Sequence, residues 1–278
     1  MNNDIILEPH GGLANRMRVI ASGLWLGRVM HKNIKLIWRQ TPDLDCPFGE
    51  VFEPVAGIDL IKKQFRFRFF GSRKESMILK RMIILPVGAM VSGNYQVVED
   101  PGVKKIRAGE MDVLAMAGER KILYFKTCEE FGVKTDEYKH FIPKPVIQQR
   151  IDDQIKKFNQ HTIGVHIRRT DHLLAIKHSP TELFVDRIAG DLEKNPEYNY
   201  FLSTDDPPTE ARFKKLFGHK IITLEKEFSR NSPAGIRDAV TDLFCLANTA
   251  RIYGSHTSSF SILASKIRGI PLEQIRIF

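Results

Sequence analysis

"HTIGVHIRRTD", residues 161–171, decides how the rest of the chain is read. Its first part, 161–168, is a β-branched, largely apolar run of strand length without the polar alternation of a half-exposed strand. A strand of that kind is buried on both faces, as in a parallel sheet. The run then places His166, Arg168, Arg169 and Asp171 close together at its carboxyl end. Working outward, further strands are expected at 198–204, 220–224, 250–255 and 274–278. Helical patterns fall between most of them, at 181–195, 208–217, 234–248 and 259–268. Apolar strands alternating with helices of that length imply a parallel sheet with right-handed crossovers, a Rossmann-like domain.

The first half is less regular. "DIILEP" (4–9) predicts a strand running into a glycine turn, followed by a helix from Asn15 to Met30 and a strand at 33–38. Residues 39–52, rich in Pro, Asp and Gly, predict a loop, and 121–126 a further strand. The stretch between mixes helix and strand periodicity. The expected architecture is α/β, with two Rossmann-like domains, 1–145 and 146–278, and a cleft between them.

The chain has 278 residues, 42% hydrophobic and 27% charged, which is ample for two cores. Asn2, Asn3 and Asp4 give no secretory signal at the start, and the apolar window 82–91 is broken by Pro86. That window falls short of the roughly 20 residues that span a bilayer. Cys46, Cys128 and Cys245 are odd in number and scattered, which predicts neither a disulfide framework nor a zinc site. These features together predict a soluble protein of the cytoplasm.

The net charge of +9 is concentrated between Lys62 and Arg81, where eight basic residues meet one acidic residue. Phe65, Phe67, Phe69 and Phe70 are interleaved with them. One reading is an amphipathic element with its phenylalanines packed inward. The other is a patch for an anionic surface, such as lipid headgroups at the inner face of a membrane or a charged acceptor. No recognition helix, zinc finger or ribonucleoprotein-type motif accompanies it, so no nucleic-acid partner is expected.

Three expected strands of the second half end in polar clusters: Arg168 to Asp171, "STDDP" (203–207) and "SHTSSFS" (255–261). Arginines can grip phosphate oxygens through parallel N–H groups, and a Ser/Thr-rich helix start favours an anion. The pooled residues therefore suit a nucleotide diphosphate. Simpler roles stand beside this one: Arg168 or Arg169 paired with Asp171, Asp206 before Pro207 as a helix N-cap, and Thr257 or Ser258 likewise. In the first half, "PHGGLANRMR" (9–18) is a Gly-Gly turn that brings Gly12, Asn15 and Arg16 to a strand end. It has neither a dinucleotide fingerprint nor a P-loop lysine. Asp43 and Asp45, in a proline-flanked loop, lack the preceding βα series expected of a metal-binding aspartate pair.

"GVHIRRTD" (164–171) resembles the H-x-R-R-x-D motif of the GDP-fucose-dependent fucosyltransferases of the α1,2, α1,6 and protein-O type. "FLSTDDP" (201–207) and "SHTSSFSILAS" (255–265) are similar to the second and third motifs of that superfamily, and "GGLANRM" (11–17) to its N-terminal turn. The resemblance implies a GT-B-type fold, with the C-terminal domain holding GDP-fucose and the N-terminal domain on the acceptor side. It implies that Arg168 binds the β-phosphate, that His166 supports the same site, and that Ser258 and Ser259 contact the diphosphate. Asp242 would contact guanine and Asn15 the phosphate–fucose end; Gly12, Arg16, Asp205 and Phe260 lie in the matched segments and join the donor site. Arg169, Asp171 and Asp206 would support it.

It further implies inverting transfer to a glycan hydroxyl with no metal or other cofactor. The chain departs from the pattern at "FSILAS", where the α1,2 enzymes carry paired tryptophans, at His172, where the α1,6 enzymes carry Lys, and at Arg16, where Gln is usual. The base that takes the acceptor proton has no motif match, which leaves Glu8, His10 and His172. The alternatives are transfer of another nucleotide sugar and a nonenzymatic GDP-sugar or anionic-surface binder. A soluble transferase with the 62–81 segment points to a lipid-linked glycan or surface polysaccharide as acceptor.

Overall fold

The computed structural model describes residues 3–61, 94–132 and 135–277. The basic segment 62–81 and the apolar window 82–91 lie outside them. The chain divides into two compact units. The first comprises Met1–Gly11, Asn15–Arg39 and Pro54–Glu137, and the second Gly12–Ala14, Gln40–Glu53 and Tyr138–Phe278.

The first unit contains β1 (Asp4–Pro9), α1 (Leu13–Met30, which begins in the Gly12–Ala14 piece), β2 (Asn33–Leu36), β3 (Ile58–Leu60), β4 (Tyr95–Glu99), α2 (Asp100–Arg107), α3 (Val113–Glu119) and β5 (Ile122–Thr127). Its sheet runs β3-β2-β1-β5-β4, and every described pairing is parallel. All six residues of β1 are buried, as a central strand covered on both faces requires.

The second unit contains α4 (Pro145–Ile155), β6 (Thr162–Ile167), α5 (Leu173–His178), α6 (Thr181–Lys194), β7 (Asn199–Thr204), α7 (Pro207–Phe217), β8 (Ile221–Ile222), α8 (Pro233–Ala247), β9 (Arg251–Ser255), α9 (Ser259–Arg268) and β10 (Leu272–Ile275). Its parallel sheet has the order β10-β9-β6-β7-β8. Ile163, Val165 and Ile167 of β6 pack with Phe184 and Ile188 of α6, Tyr200 and Leu202 of β7, and Phe213 of α7. Each such fully buried side chain contributes roughly 1.5–3 kcal/mol of transfer free energy.

Each unit is thus Rossmann-like. The expected strands and helices of the second unit are present, with β8 cut from 220–224 to Ile221–Ile222, α4 added, and two further departures. The last strand runs over Leu272–Ile275 rather than 274–278, because its partner β9 ends at Ser255, which pairs with Ile275. Beyond that point the Ile277 N–H turns to the His178 carbonyl instead. The short helix α5 has no signature in the sequence, since its two leading leucines, Leu173 and Leu174, are exposed and leave no apolar stripe.

Gly254 sets how closely α9 approaches β9. A Cβ built there would lie 2.5 Å from Ser261 Oγ and 2.8 Å from Ser261 Cβ. Only a residue without a side chain lets the first turn of α9 rest against the strand end.

Candidate functional site

In both sheets the strand order reverses beside the first strand. In the second unit β6 has β7 on one side and β9 on the other, so successive crossovers leave in opposite directions and open a crevice past the strand ends. The residues emerging there are Arg168 to Asp171 after β6 and Ser255 to Ser259 at and after the end of β9. Ser255 Oγ ties the two ends together, accepting from the Arg168 N–H at 3.0 Å and donating to the His166 carbonyl at 3.3 Å.

The two arginines diverge. The Arg168 side chain makes an ion pair with Asp171 and sets its Nε 3.1 Å from Asp205 Oδ2. A guanidinium carries five N–H donors, and Arg168 Nη1 has no hydrogen bond among the described residues. Arg169 points the other way, with Nε on Thr181 Oγ1 at 2.9 Å, Nη1 on the Arg168 carbonyl at 2.8 Å and Nη2 on the Ser179 carbonyl at 2.6 Å. It braces the entry to α6. The Arg169–Asp171 pairing is corrected, because the Asp171 carboxylate is taken by Arg168 and Arg230, the latter at 2.7 Å.

Asp205 organises the loop after β6. Its Oδ1 accepts from the Arg169 N–H at 2.7 Å, and its Oδ2 from the Thr170 hydroxyl at 2.6 Å. Burial works to raise the Asp205 carboxyl, but Arg168, the Thr170 hydroxyl and the Arg169 N–H together hold it below the usual carboxylate range. Asp206 is the N-cap of α7, accepting from the Thr209 N–H at 2.9 Å, with Pro207 at the first helical position.

His166 projects from β6 and is 4% exposed. Its ring stacks on Phe260, with centroids 4.9 Å apart, and its Nδ1 lies 3.4 Å from Ser258 Oγ. Burial first, then the Arg168 charge, pushes its pKa well below the ordinary histidine value, so the ring is neutral at physiological pH. Ser258 is the N-cap residue of α9, yet its hydroxyl makes no capping bond to the helix. The first N–H groups of α9, from Ser259 onward, therefore have no side-chain cap and face an anion-favouring helix end. Thr257, just before, adopts φ +52, a conformation unusual for a β-branched residue and a mark of backbone held against its preference.

Asp242 lies on α8 beneath β7, with Oδ2 accepting from Lys226 Nζ at 2.5 Å and from Ser203 Oγ at 3.0 Å. Its Oδ1 is buried and has no partner among the described residues. Burial, opposed by Lys226, leaves its carboxyl raised. Lys226 and Arg230 carry no signal in the sequence. Both sit in "EKEFSRNS" (225–232), an irregular charged stretch with no motif, and only the fold carries it to these carboxylates.

The residues around the glycine turn take separate roles. Gly11 has φ +76 and accepts from Arg16 Nε at 2.8 Å. Arg16 is fully buried, donates also to the Arg39 carbonyl, and lies 4.9 Å over the Trp38 ring. Its guanidinium is committed to holding the turn, which corrects the expectation that it reaches a ligand. The side-chain oxygen of Asn15 is buried with no hydrogen-bond partner among the described residues. Gly12, adjoining the turn, has open space where a Cβ would lie.

The three expected bases also separate. Glu8 is 7% exposed, and its carboxylate receives Arg39 at 2.7 and 3.2 Å together with the Tyr124 hydroxyl. His172, in the second unit, uses Nδ1 to accept from the Ala175 N–H at 2.9 Å as the N-cap of α5. His10, by contrast, is 43% exposed and sets Nε2 3.3 Å from Asp100 Oδ2. His10, Asp100 and Cys128 are the one His/Cys/acid trio among the described residues with ligand-type atoms within 4.8 Å of one another. The Cys128 thiol is pushed up by burial and by the Asp100 and Glu129 charges. Asp45 receives Gln40 Nε2 at 3.0 Å and joins no such group among the described residues. No described helix is long and apolar enough to cross a membrane.

No protein-family model matches this chain, and no curated protein matches it in sequence. Its fold does match solved structures. The NodZ α1,6-fucosyltransferase soaked with GDP-fucose superposes with a TM-score of 0.61 at 18% identity, over 96% of this chain and 93% of that one. A variant of Arabidopsis thaliana FUT1 in complex with GDP gives 0.62 at 14% identity, over 98% of this chain and 70% of that one. POFUT1 in complex with GDP gives 0.60 at 11% identity, over 99% and 98%. The chain has the GT-B-like α/β fold of these proteins.

Proposed function

We propose that this protein is a fucosyltransferase that moves L-fucose from GDP-fucose to a hydroxyl of a glycan acceptor, with inversion and without a metal. The observation that carries the reading is Arg168. It stands at the sheet's switch point with a guanidinium nitrogen uncommitted among the described residues, beside an uncapped helix start and a buried neutral histidine. Structural neighbours solved with GDP or GDP-fucose support the same assignment.

Breaking the bond between fucose and the β-phosphate builds positive charge on the sugar ring and negative charge on the departing GDP. Preorganised donors aimed at that diphosphate form the largest catalytic contribution. Arg168 supplies the charge-assisted contact, and Ser258, Ser259 and the α9 N–H groups receive the remaining oxygens. His166 and Phe260 wall the site. Asp205 and Asp171 set the Arg168 side chain, and Asp242 with Lys226 offers a buried polar pair for the base. Loss of Arg168 should cost about 10²–10³-fold in rate.

The acceptor we propose is a glycan at an anionic surface on the cytoplasmic side of a membrane, with residues 62–81 in contact with headgroups. Calorimetric titration with GDP and then GDP-fucose, with and without EDTA, tests the donor reading. Micromolar binding that survives EDTA and collapses in Arg168→Ala is expected. Absence of GDP binding by the wild type would overturn it, and vesicle flotation without salt-sensitive binding would remove the membrane contact.

A further inference from the structure

A second guanidinium stands beside Arg168. Loops that follow the strands of a parallel sheet gather at one edge, so the loop after β8 joins those after β6, β7 and β9. That loop carries Arg230. We propose that Arg230 is a second phosphate-binding residue of the donor site, gripping the diphosphate of GDP-fucose together with Arg168. This rests on the transferase reading above and adds a residue that no motif marks. Both arginines belong to the same compact unit.

Two carboxylates lie between the guanidinium groups. Asp171 receives Arg168 on Oδ1 and Arg230 Nη1 on Oδ2, the latter at 2.7 Å. Asp205 Oδ2 lies 3.1 Å from Arg168 Nε and 3.6 Å from Arg230 Nη2. Two like charges held so close repel, and the Arg230 charge, after burial, lowers the Arg168 pKa. Clusters of arginine are the usual means of gripping phosphate groups.

The charge balance needs the second arginine. With Arg168 alone, the two carboxylates would outnumber the cation and oppose a diphosphate; Arg230 evens the count. Donors then remain on both sides, since Arg168 Nη1 and Arg230 Nε make no hydrogen bond among the described residues. Each can donate to a phosphate oxygen without giving up a contact already made.

The backbone fixes Arg230 where it stands. Its carbonyl accepts from the Asp45 N–H at 3.0 Å. Asp45 follows a turn in which Thr41 and Leu44 exchange hydrogen bonds at 3.0 and 2.9 Å, and residues 40–53 belong to the second unit. On the other side, Ser232 Oγ accepts from the Gly235 N–H at 3.1 Å. A Cβ on Gly235 would lie 1.9 Å from the Ser229 carbonyl oxygen, so only glycine lets the loop press against the start of α8. The Arg230 side chain stays 32% exposed and open to a ligand.

Calorimetric titration of the full chain with GDP, and with guanosine as the ligand without phosphate, tests this. Arg230→Gln should lower GDP affinity by about 10–100-fold, the worth of a hydrogen bond between charged groups, and leave guanosine affinity as in the wild type. Arg230→Lys, which keeps the charge and loses the fork, should fall between the two. Unchanged GDP affinity in Arg230→Gln overturns the proposal. A loss that guanosine shares overturns it too, since that marks a displaced loop.

The same substitution in an Asp171→Asn background separates a phosphate contact from service as a counterion. The loss of GDP affinity should persist there. Its disappearance would show that Arg230 acts only through Asp171, against the proposal. A wild type that binds no GDP defeats the donor reading instead, so the two failures are told apart by the first titration.

Discussion

Lys226 Nζ lies 2.5 Å from Asp242 Oδ2, and neither side chain is more than 7% exposed. A buried pair of this kind is weak evidence for stability by itself, but breaking it strands a charge. Lys226→Met should therefore destabilise the fold by about 3–5 kcal/mol. The double change with Asp242→Leu should recover most of that loss. Urea unfolding of the four proteins in this cycle checks the prediction, and equal losses in single and double variants would refute it.

Asp205→Asn separates two readings of an acidic group beside a phosphate site. A carboxylate that merely repels the ligand would, once neutralised, give tighter GDP binding. Because Asp205 holds Arg168 Nε, the Arg169 N–H and Thr170 in place, the substitution should instead weaken binding by about 10–100-fold, the worth of a hydrogen bond to a charged group. Its folded pKa lies below the unfolded value, so its contribution is present above about pH 4 and is lost as pH falls through the folded value. GDP affinity measured by calorimetry from about pH 7 down to about pH 3.5 should fall at the acid end in the wild type and less so in the variant.

His166 titrates in the opposite sense from an exposed histidine. Burial holds its folded pKa, about 3, far below the unfolded value near 6.5. The unfolded chain thus binds a proton that the folded chain refuses. Stability from this group is complete above about pH 6.5 and declines as pH falls from there toward about 3. His166→Phe, which keeps the stacking with Phe260, should flatten the decline between about pH 6 and about pH 4 in urea midpoints. An identical slope in both proteins would show that His166 is accessible to protons when folded.

Gly254 is the place to test the close approach of α9. Gly254→Ala puts a methyl 2.5 Å from Ser261 Oγ and should cost about 1–3 kcal/mol as an overpacked contact. Because the strain falls at the helix start, GDP affinity should drop along with the unfolding midpoint. A drop in stability with unchanged GDP affinity would separate α9 from the nucleotide site.

The parallel sheet of the second unit is legible in residues 161–278 because its strands are short apolar runs separated by helices of crossover length, a pattern local in sequence. The role of Asp206 as an N-cap rests on chemistry within a few residues and is legible too, whereas Arg169 finds Ser179 and Thr181 ten and twelve residues on. Of the ion pairs of the loop after β6, the local one between Arg168 and Asp171 is within reach of the sequence and the one to Arg230 is not. Whether Asp171 meets Arg169 or Arg230 depends on which of two cations the fold brings nearer, and Arg230 is 59 residues away.

Arg16 shows the same limit from the other side. Next to a Gly-Gly turn it reads as a ligand contact, yet the sheet places the Arg39 carbonyl and the Trp38 ring around it and buries it completely. His10 and Asp100 are far apart in the chain with no motif between them, and only β1, β5 and α2 set their nitrogen and oxygen 3.3 Å apart. Periodicity and local capping act over a few residues and so are written in the sequence. The pairing of charges and the choice of which polar group is left free are decided by desolvation and distance, and those exist only once the chain is folded.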